Sequence, residues 1–356
     1  MSELVKVQLK KNSYDIIIGC RREDIINRIS ESISAEKSKI AIIADANVAK
    51  LYAKYFLKIK NSHLFSFEAG EKSKNRNTKA MLEDSLLKER YGKDSLIVAL
   101  GGGVTGDLAG FGAATYMRGI SYIQVPTTFL AMIDSSVGGK TGVNTRHGKN
   151  LIGAIYQPKA VYIDPIFLDT LPVKEFKSGL GELVKYGLLN KDFFYYIEKY
   201  SKEIIEKNPD VIMQVIKKSC QIKARIVKKD EKEKSLRQIL NLGHTIGHAI
   251  EQASGYKLSH GECVAIGLYI EAKISNKLGY LEEHDLTRIK ELLKQFGLIS
   301  SKKIEPKKIM QYLSLDKKSV DAIPRFVLLS EIGAVKTLNN CYSHSVPKKI
   351  ILEALL

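Results

Sequence analysis

The chain has 356 residues, 44% hydrophobic and 27% charged, with a formal net charge of +17. That length accommodates two domains of ordinary size, and the composition excludes disordered, collagen-like and disulfide-scaffold classes. No apolar run approaches the ~20 residues of a membrane-spanning helix, so no membrane partner is expected. The opening MSELVKV lacks the basic-then-apolar pattern of a secretory leader. Cys20, Cys220, Cys263 and Cys341 stand far apart with no CxxC pair, which predicts reduced thiols in a cytoplasmic protein. The lysines are dispersed and often adjoin glutamates, without a basic run or an aromatic-rich RNA-binding stretch. They predict a solvated surface and no nucleic-acid partner.

In chain order, 38–45 (SKIAIIAD) reads as a buried parallel strand ending in Asp45. Helical periodicity follows at 78–90, and a second buried strand at 95–100 runs directly into glycines. Further strands are expected at 119–125 and 160–164. Strands alternating with helices imply an α/β domain with a parallel sheet. From Pro172 onward helical patterns dominate, at 174–189, 193–207, 211–229, 236–253, 262–277 and 285–296, and only 325–329 looks strand-like. The expected division is an α/β domain over 1–171 and a mostly α-helical domain over 172–356.

GGGVTGD at 101–107 fits GxGxxG after a strand, and LAGF at 108–111 can open a helix. That context suits a pyrophosphate on a helix N-terminus, although such turns also occur for steric reasons alone. The standard dinucleotide fold places its ribose-binding acid about twenty residues further on. Nothing acidic stands there; the strand-end acid comes earlier, at Asp45, followed by Asn47. A dinucleotide site here therefore requires a different strand order. DSSVGGKT at 134–141 is not a P-loop, because Asp134 occupies the position of an obligatory glycine. It is expected to be a flexible loop, either presenting Lys140 to an anion or simply lying on the surface, and GKN at 148–150 repeats the theme.

Three of the chain's seven histidines, His244, His248 and His260, fall within seventeen residues. His244 and His248 are four apart and on a helix project from one face. His260 follows a linker long enough to turn the chain back toward them. Imidazole is the commonest zinc ligand, and a catalytic zinc takes three protein ligands and keeps one position open. The cluster is a candidate metal site, but not an HExxH protease, since Thr245 stands where that motif needs glutamate. GLGELVKYG at 179–187 puts Glu182 and Lys185 three apart on a glycine-rich helix. Each glycine weakens a helix by ~1 kcal/mol, so a ligand or tight packing must compensate. Glu182 is a further candidate ligand.

Taken together, these motifs resemble the 3-dehydroquinate synthase family of sugar-phosphate cyclases. The resemblance is carried by GGGVTGDLAGF (101–111), YMRG (116–119), PTT (126–128), DSSVGGKTGVN (134–144), GKNLIGAIYQP (148–158), GELVKYG (181–187), LNLGHTIGHAIE (240–251) and HGE (260–262). It implies an N-terminal α/β domain with a parallel sheet and Rossmann-like NAD site, a mostly α-helical metal- and substrate-binding domain, and a homodimer. It also implies one divalent metal per subunit, Zn2+ or Co2+, held by Glu182, His244 and His260, while His248 lies near the substrate phosphate. The implied NAD contacts are Asp45, Asn47, Glu71, Lys74, Gly103, Val104, Thr105, Gly106, Asp107, Thr127, Thr128, Lys140, Lys149, Phe167, Leu168, Asp169 and Thr170. The implied substrate contacts are Asp134, Lys140, Asn150, Lys185, Lys223, Arg237, Asn241 and His248, with Arg118 contributed across the dimer interface. One of Lys317, Lys318 or Arg325 is implied to reach the phosphate. Ser235 stands where the family usually has glycine, which bears on the placement of Arg237.

The implied substrate is 3-deoxy-D-arabino-heptulosonate 7-phosphate, an anionic small molecule converted to 3-dehydroquinate and phosphate. Transient oxidation by NAD, phosphate elimination, re-reduction and an intramolecular aldol closure are the implied steps. Lysine and arginine side chains suit a substrate that carries both a phosphate and a carboxylate.

Overall fold

A computed structural model describes residues 2–32, 38–299, 305–313 and 324–356; Lys317 and Lys318 lie outside the described residues. The chain divides into two units, residues 1–171 with 223–228, and residues 172–222 with 229–356.

The first unit contains strands β1 (Glu3–Val7), β2 (Tyr14–Ile18), β3 (Ile40–Asp45), β4 (Ser62–Phe67), β5 (Leu96–Gly101), β6 (Ser121–Pro126), β7 (Lys140–Thr145), β8 (Gly148–Ile155) and β9 (Ala160–Ile163). Seven of them form one sheet in the order β1-β2-β9-β6-β5-β3-β4. Every neighbouring pair is parallel except β1 on β2. All six residues of β5 are buried, as are the first five of β3, as expected of central parallel strands covered on both faces. Helices α1 (Arg22–Glu31), α2 (Ala46–Phe56), α3 (Arg76–Lys88) and α4 (Gly103–Thr115) belong to the same unit. Asn75 caps α3 by accepting from the Thr78 N–H at 2.9 Å, so that helix begins two residues before the expected 78.

The strand order decides where a ligand can enter. From β3 the sheet extends to β4 on one side and to β5, β6 and β9 on the other. The order reverses between β3 and β5, and the carboxyl ends of strands at such a switch point form the usual ligand crevice of open α/β sheets. Asp45 ends β3 and the glycine turn follows β5.

Two sequence expectations in this unit are corrected. The helix after the glycine turn opens at Gly103, not at 108. The loop expected at 134–141 is confined to 136–139: Asp134 lies in a π-helical turn, Ala131–Ser135, and Lys140 begins β7. GKN at 148–150 likewise begins β8, which pairs with β7 as an antiparallel hairpin. Within the hairpin the two strands approach closely: a Cβ on Gly153 would stand 2.0 Å from the Thr141 carbonyl oxygen.

The second unit is built from α5 (Val173–Leu188), α6 (Lys191–Lys199), α7 (Ser201–Ile205), α8 (Pro209–Lys229, of which 223–228 belong to the first unit), α9 (His244–Ala253), α10 (His260–Lys277), α11 (Glu283–Gln295), α12 (Pro306–Leu313) and α13 (Lys348–Leu355). The helix expected at 193–207 is two helices, broken at Tyr200 (φ −107°, ψ 24°). The one expected at 236–253 is a 3-10 turn, Leu236–Asn241, followed by extended Leu242 and left-handed Gly243 (φ 79°) before α9. The strand expected at 325–329 is divided into two short pieces, Arg325–Phe326 and Leu329–Glu331. Among the described residues no helix is long and apolar enough to cross a membrane.

Candidate functional site

Three helices of the second unit, α5, α9 and α10, carry Glu182, His244 and His260. Glycines let them meet. A Cβ on Gly181 would lie 2.1 Å from the Gly261 carbonyl oxygen, and one on Gly267 would lie 2.0 Å from that of Gly243. The Gly181 contact supplies the tight packing that the glycine-rich α5 required. His260 is the first residue of α10, whose start is fixed by a capping box: the Glu262 carboxyl accepts from the Ser259 N–H at 2.8 Å, and the Ser259 hydroxyl accepts from the Glu262 N–H.

The Glu182 Oε1 atom lies 3.2 Å from His244 Nε2 and 3.1 Å from His260 Nε2. The other ring nitrogens are engaged elsewhere. His244 Nδ1 stands 3.1 Å from the Leu242 carbonyl oxygen, and His260 Nδ1 stands 2.8 Å from Glu251 Oε1. A carbonyl can only accept, so His244 Nδ1 carries its proton and Nε2 turns its lone pair toward Glu182. The three facing atoms fit a divalent cation: tetrahedral bonds of about 2.0–2.2 Å put ligand atoms about 3.3–3.6 Å apart. The Leu242 and Glu251 contacts are of the kind that orient imidazoles where they bind a metal. His248, Glu251 and His260 form a second, overlapping group of possible ligands.

Charge in this cluster is tightly held. Glu182 and Lys185 are each only 2% exposed, with Lys185 Nζ 2.5 Å from Glu182 Oε2. Burial works to raise the Glu182 carboxyl, but Lys185, His244 and His260 outweigh it and hold it well below the usual carboxylate range. Burial pushes His244 down, against the pull of Glu182. Burial also opposes the charged form of His260, yet hydrogen bonds and charge from Glu182 and Glu251 prevail and push it up to about 9.

Beside these side chains, the His248 ring is 5.4 Å from that of His244 and 6.2 Å from that of His260. Arg237 is almost wholly buried, with its Nη1 donating to the Glu231 carbonyl at 2.5 Å. Asp230 shapes the turn before it by accepting from the N–H groups of Lys234, Ser235 and Arg237. Asn241 donates to Glu233 at 2.9 Å, and the Arg325 guanidinium is bound to Ser343. Glu251, which bonds His260 Nδ1, is a residue of this cluster to which the sequence motif alone assigns no role. Its signal was a carboxyl three residues after His248 on a helix that is otherwise largely apolar.

In the first unit the glycine turn is a close-packed start for α4. A Cβ on Gly102 would press 2.8 Å from Thr128 Cγ2, and one on Gly106 would stand 2.8 Å from Gln124 Oε1. Lys74 is 6% exposed; it pairs with Asp107 of α4 and donates to Asn150 Oδ1 at 2.6 Å. Burial raises the Asp107 carboxyl, partly offset by Lys74. Asn144 donates to Glu71 at 2.7 Å, and its own Oδ1 accepts from the Asn150 N–H. These contacts join five of the polar side chains around the turn into one network. Lys223 binds both the carboxyl and the carbonyl of Asp134. Thr127 donates its N–H to the Gly101 carbonyl, and the Thr128 hydroxyl accepts from the Ala131 N–H. Phe167, Leu168 and Asp169 lie in a 3-10 turn closed by Thr170, which binds the Tyr52 hydroxyl.

The remaining predicted residues are partly or fully exposed. The Asp45 carboxyl caps α2, accepting from Asn47 and Val48 N–H groups at 3.0 and 3.2 Å. Lys140 and Asn47 are exposed, and Lys149 is half-buried. Arg118 is exposed in a turn where it and Met117 both adopt left-handed backbone (φ 60° and 48°).

The fold has counterparts among solved structures. A 2-deoxy-scyllo-inosose synthase complexed with carbaglucose-6-phosphate, NAD+ and Co2+ superimposes with a TM-score of 0.87 at 29% identity, covering 99% of both chains. A 2-epi-5-epi-valiolone synthase from Streptomyces hygroscopicus subsp. jinggangensis, with NAD+ and Zn2+ bound, gives 0.87 at 27%, covering 98% of this chain and 97% of that one. The class is that of these synthases. The chain belongs to the 3-dehydroquinate synthase family, whose N-terminal model matches residues 64–178 and whose C-terminal model matches 179–319. It is 41% identical to the 3-dehydroquinate synthase of Thermodesulfovibrio yellowstonii, over 99% of this chain and all of that one.

Proposed function

We propose that this chain converts 3-deoxy-D-arabino-heptulosonate 7-phosphate to 3-dehydroquinate and phosphate, a lyase step of the shikimate pathway toward aromatic amino acids. The observation that carries the proposal is the convergence of Glu182 Oε1 with the Nε2 atoms of His244 and His260, in a chain whose whole length matches a 3-dehydroquinate synthase. Residues 1–171 bind NAD and residues 172–356 bind metal and substrate. Glu182, His244 and His260 hold one Zn2+ or Co2+. NAD rests on the turn Gly103 to Asp107, with Asp45, Asn47, Glu71, Lys74, Thr127, Thr128, Lys140, Lys149 and the 167–170 turn. The switch-point position of that turn supports the assignment.

Bound NAD+ supplies reversible hydride transfer, and the divalent cation supplies Lewis acidity at the hydroxyl to be oxidised. The chain's own groups bind and orient. Arg237, with Lys223 and Asn241, takes the substrate carboxylate. His248, Asn150 and Lys185 hold the phosphate and the ring hydroxyls. Buried cations of this kind form stronger charge-assisted hydrogen bonds than exposed ones, because water competes less. Asp134 and Lys140 complete the substrate contacts.

The proposal includes a cytoplasmic homodimer in which Arg118 reaches the partner's site. The free cysteines, three buried and one exposed, are consistent with a reducing compartment. The two-stranded β7–β8 hairpin leaves Leu151, Ile152 and Ile155 exposed, an apolar surface of the kind that self-association covers.

The test is incubation of the purified protein with the heptulosonate phosphate, NAD+ and Co2+. Phosphate and dehydroquinate should appear together, stop on addition of chelator, and leave no net NADH. Stoichiometric NADH release would identify a dehydrogenase. Turnover of a substrate lacking the carboxylate, such as glucose 6-phosphate, in preference to the heptulosonate would identify a different cyclase.

A further inference from the structure

Helix α9, which carries His244 and His248, begins without the means to cap itself. Its N-cap is Gly243, which has no side chain, and its first turn contains no acidic residue and no side-chain cap. The first N–H groups of a helix have no intrahelical partner and need one when buried. Here the partner comes from another helix. Glu271 of α10 is fully buried. Its Oε2 accepts from the Gly243 N–H at 2.6 Å, and its Oε1 accepts from the Ile246 N–H at 3.3 Å. In a capping box those two N–H groups, at the N-cap and at the third helical position, are satisfied by side chains of the helix itself. Glu271 satisfies both from outside.

Geometry makes this possible. Gly267 lies one turn before Glu271 on α10, and a Cβ there would stand 2.0 Å from the Gly243 carbonyl oxygen and 2.8 Å from the Gly247 nitrogen. The two helices therefore touch backbone to backbone, close enough for the carboxyl to reach the end of α9. His244 is the residue directly after the capped Gly243, and its Nδ1 hydrogen-bonds to Leu242 just before it. Fixing that turn fixes the direction of His244 Nε2.

We infer that Glu271 is a positioning residue for the metal centre, setting the orientation of His244 by locking the first turn of α9 onto α10. The inference rests on the assignment of His244 as a metal ligand. Outer hydrogen-bond partners of metal ligands typically change metal affinity 10- to 100-fold when removed. Glu271→Gln keeps one accepting oxygen and Glu271→Ala keeps none, so the glutamine variant should fall between wild type and alanine.

The experiment uses the full chain loaded with Co2+, reading the visible d–d absorption bands, Co2+ affinity by competition with a chelating dye, and the melting temperature. Glu271→Ala should bind Co2+ about 10- to 100-fold more weakly with shifted bands, and Glu271→Gln should show a smaller change of the same kind. Wild-type affinity and bands with only a lowered melting temperature would overturn the inference, leaving a purely structural cap. If the alanine variant does not fold, the nearly isosteric glutamine variant decides by the same criteria. His244→Ala is measured alongside: if it keeps wild-type affinity and bands, the ligand assignment falls and this inference with it. Loss of Co2+ in His244→Ala with unchanged Glu271 variants overturns the Glu271 role alone.

Discussion

A Cβ on Gly261 would stand 1.8 Å from the carbonyl oxygen of Ser178, so α10 and α5 are in backbone contact one residue from His260 and four residues from Glu182. No flexible side chain can yield at that point, because the obstructing atom is backbone. Gly261→Ala should destabilise the chain by about 3 kcal/mol, the upper end of ordinary overpacking. Urea denaturation of the metal-depleted protein measures this directly. A change below about 1 kcal/mol would mean that the helices can slide apart at no great cost.

Lys74 makes a comparable prediction in the first unit. It is buried and pairs with Asp107, which burial already disfavours as an anion. Removing one partner leaves the other uncompensated, at about 3 kcal/mol. Lys74→Met should therefore cost about that much in urea denaturation and should also weaken NAD+ binding. The double variant with Asp107→Leu should recover much of the stability but not the NAD+ affinity. Failure to recover any stability would show that the pair is not what the lysine compensates.

How much of this was legible in the sequence depended on whether the deciding contacts were local. β3 and β5 announced themselves because a strand covered on both faces must be apolar throughout. β1 and β2 sit at one end of the sheet and alternate over only five residues, too short a pattern to stand out. β7 and β8 were hidden by glycine, threonine, lysine and asparagine, residues that suggest a loop unless the close partner strand is known. The histidine cluster was visible, but spacing alone favoured His244 with His248. Glu182 lies 62 positions before His244, and the contact between them exists only because glycines bring α5, α9 and α10 together. Glu251 and Glu271 were illegible for the same reason: a carboxyl in an apolar helix shows that something must satisfy it, not what does.

Metal uptake should release a proton. His260 is pushed up to about 9, so at pH 7.5 the metal-depleted ring carries an extra proton that a cation must displace from Nε2. Glu182 is held low and His244 is pushed down, so neither contributes a second. Affinity for Zn2+ should rise about tenfold per pH unit from 6.5 toward 9 and level off above it. Titration calorimetry in buffers of different ionisation enthalpy should count about one proton per metal at pH 7.5; a count near zero would contradict the placement of His260 between two carboxyls.

His248 and His260 should separate metal binding from turnover. His260→Ala is expected to lose both metal and activity. His248→Ala should keep a stoichiometric metal while kcat falls at least about 100-fold, the scale of a positioned acid–base or charge-stabilising group. Metal analysis of the purified variants decides. Loss of metal from His248→Ala would instead favour the alternative grouping of His248, Glu251 and His260.

The exposed Arg118 turn gives a test of the proposed dimer that does not depend on seeing the interface. Arg118→Ala should leave the fold intact, since that side chain is exposed, yet lower kcat sharply. Lys185→Met should be nearly inactive by itself because it removes a buried cation next to Glu182. In a mixed dimer of the two variants, a cross-interface Arg118 confines both defects to one site and leaves the other whole. Such dimers, purified through two different affinity tags, should then recover roughly half the wild-type activity, as one intact site of two requires. If Arg118 acts within its own subunit, each site carries one defect and no activity returns.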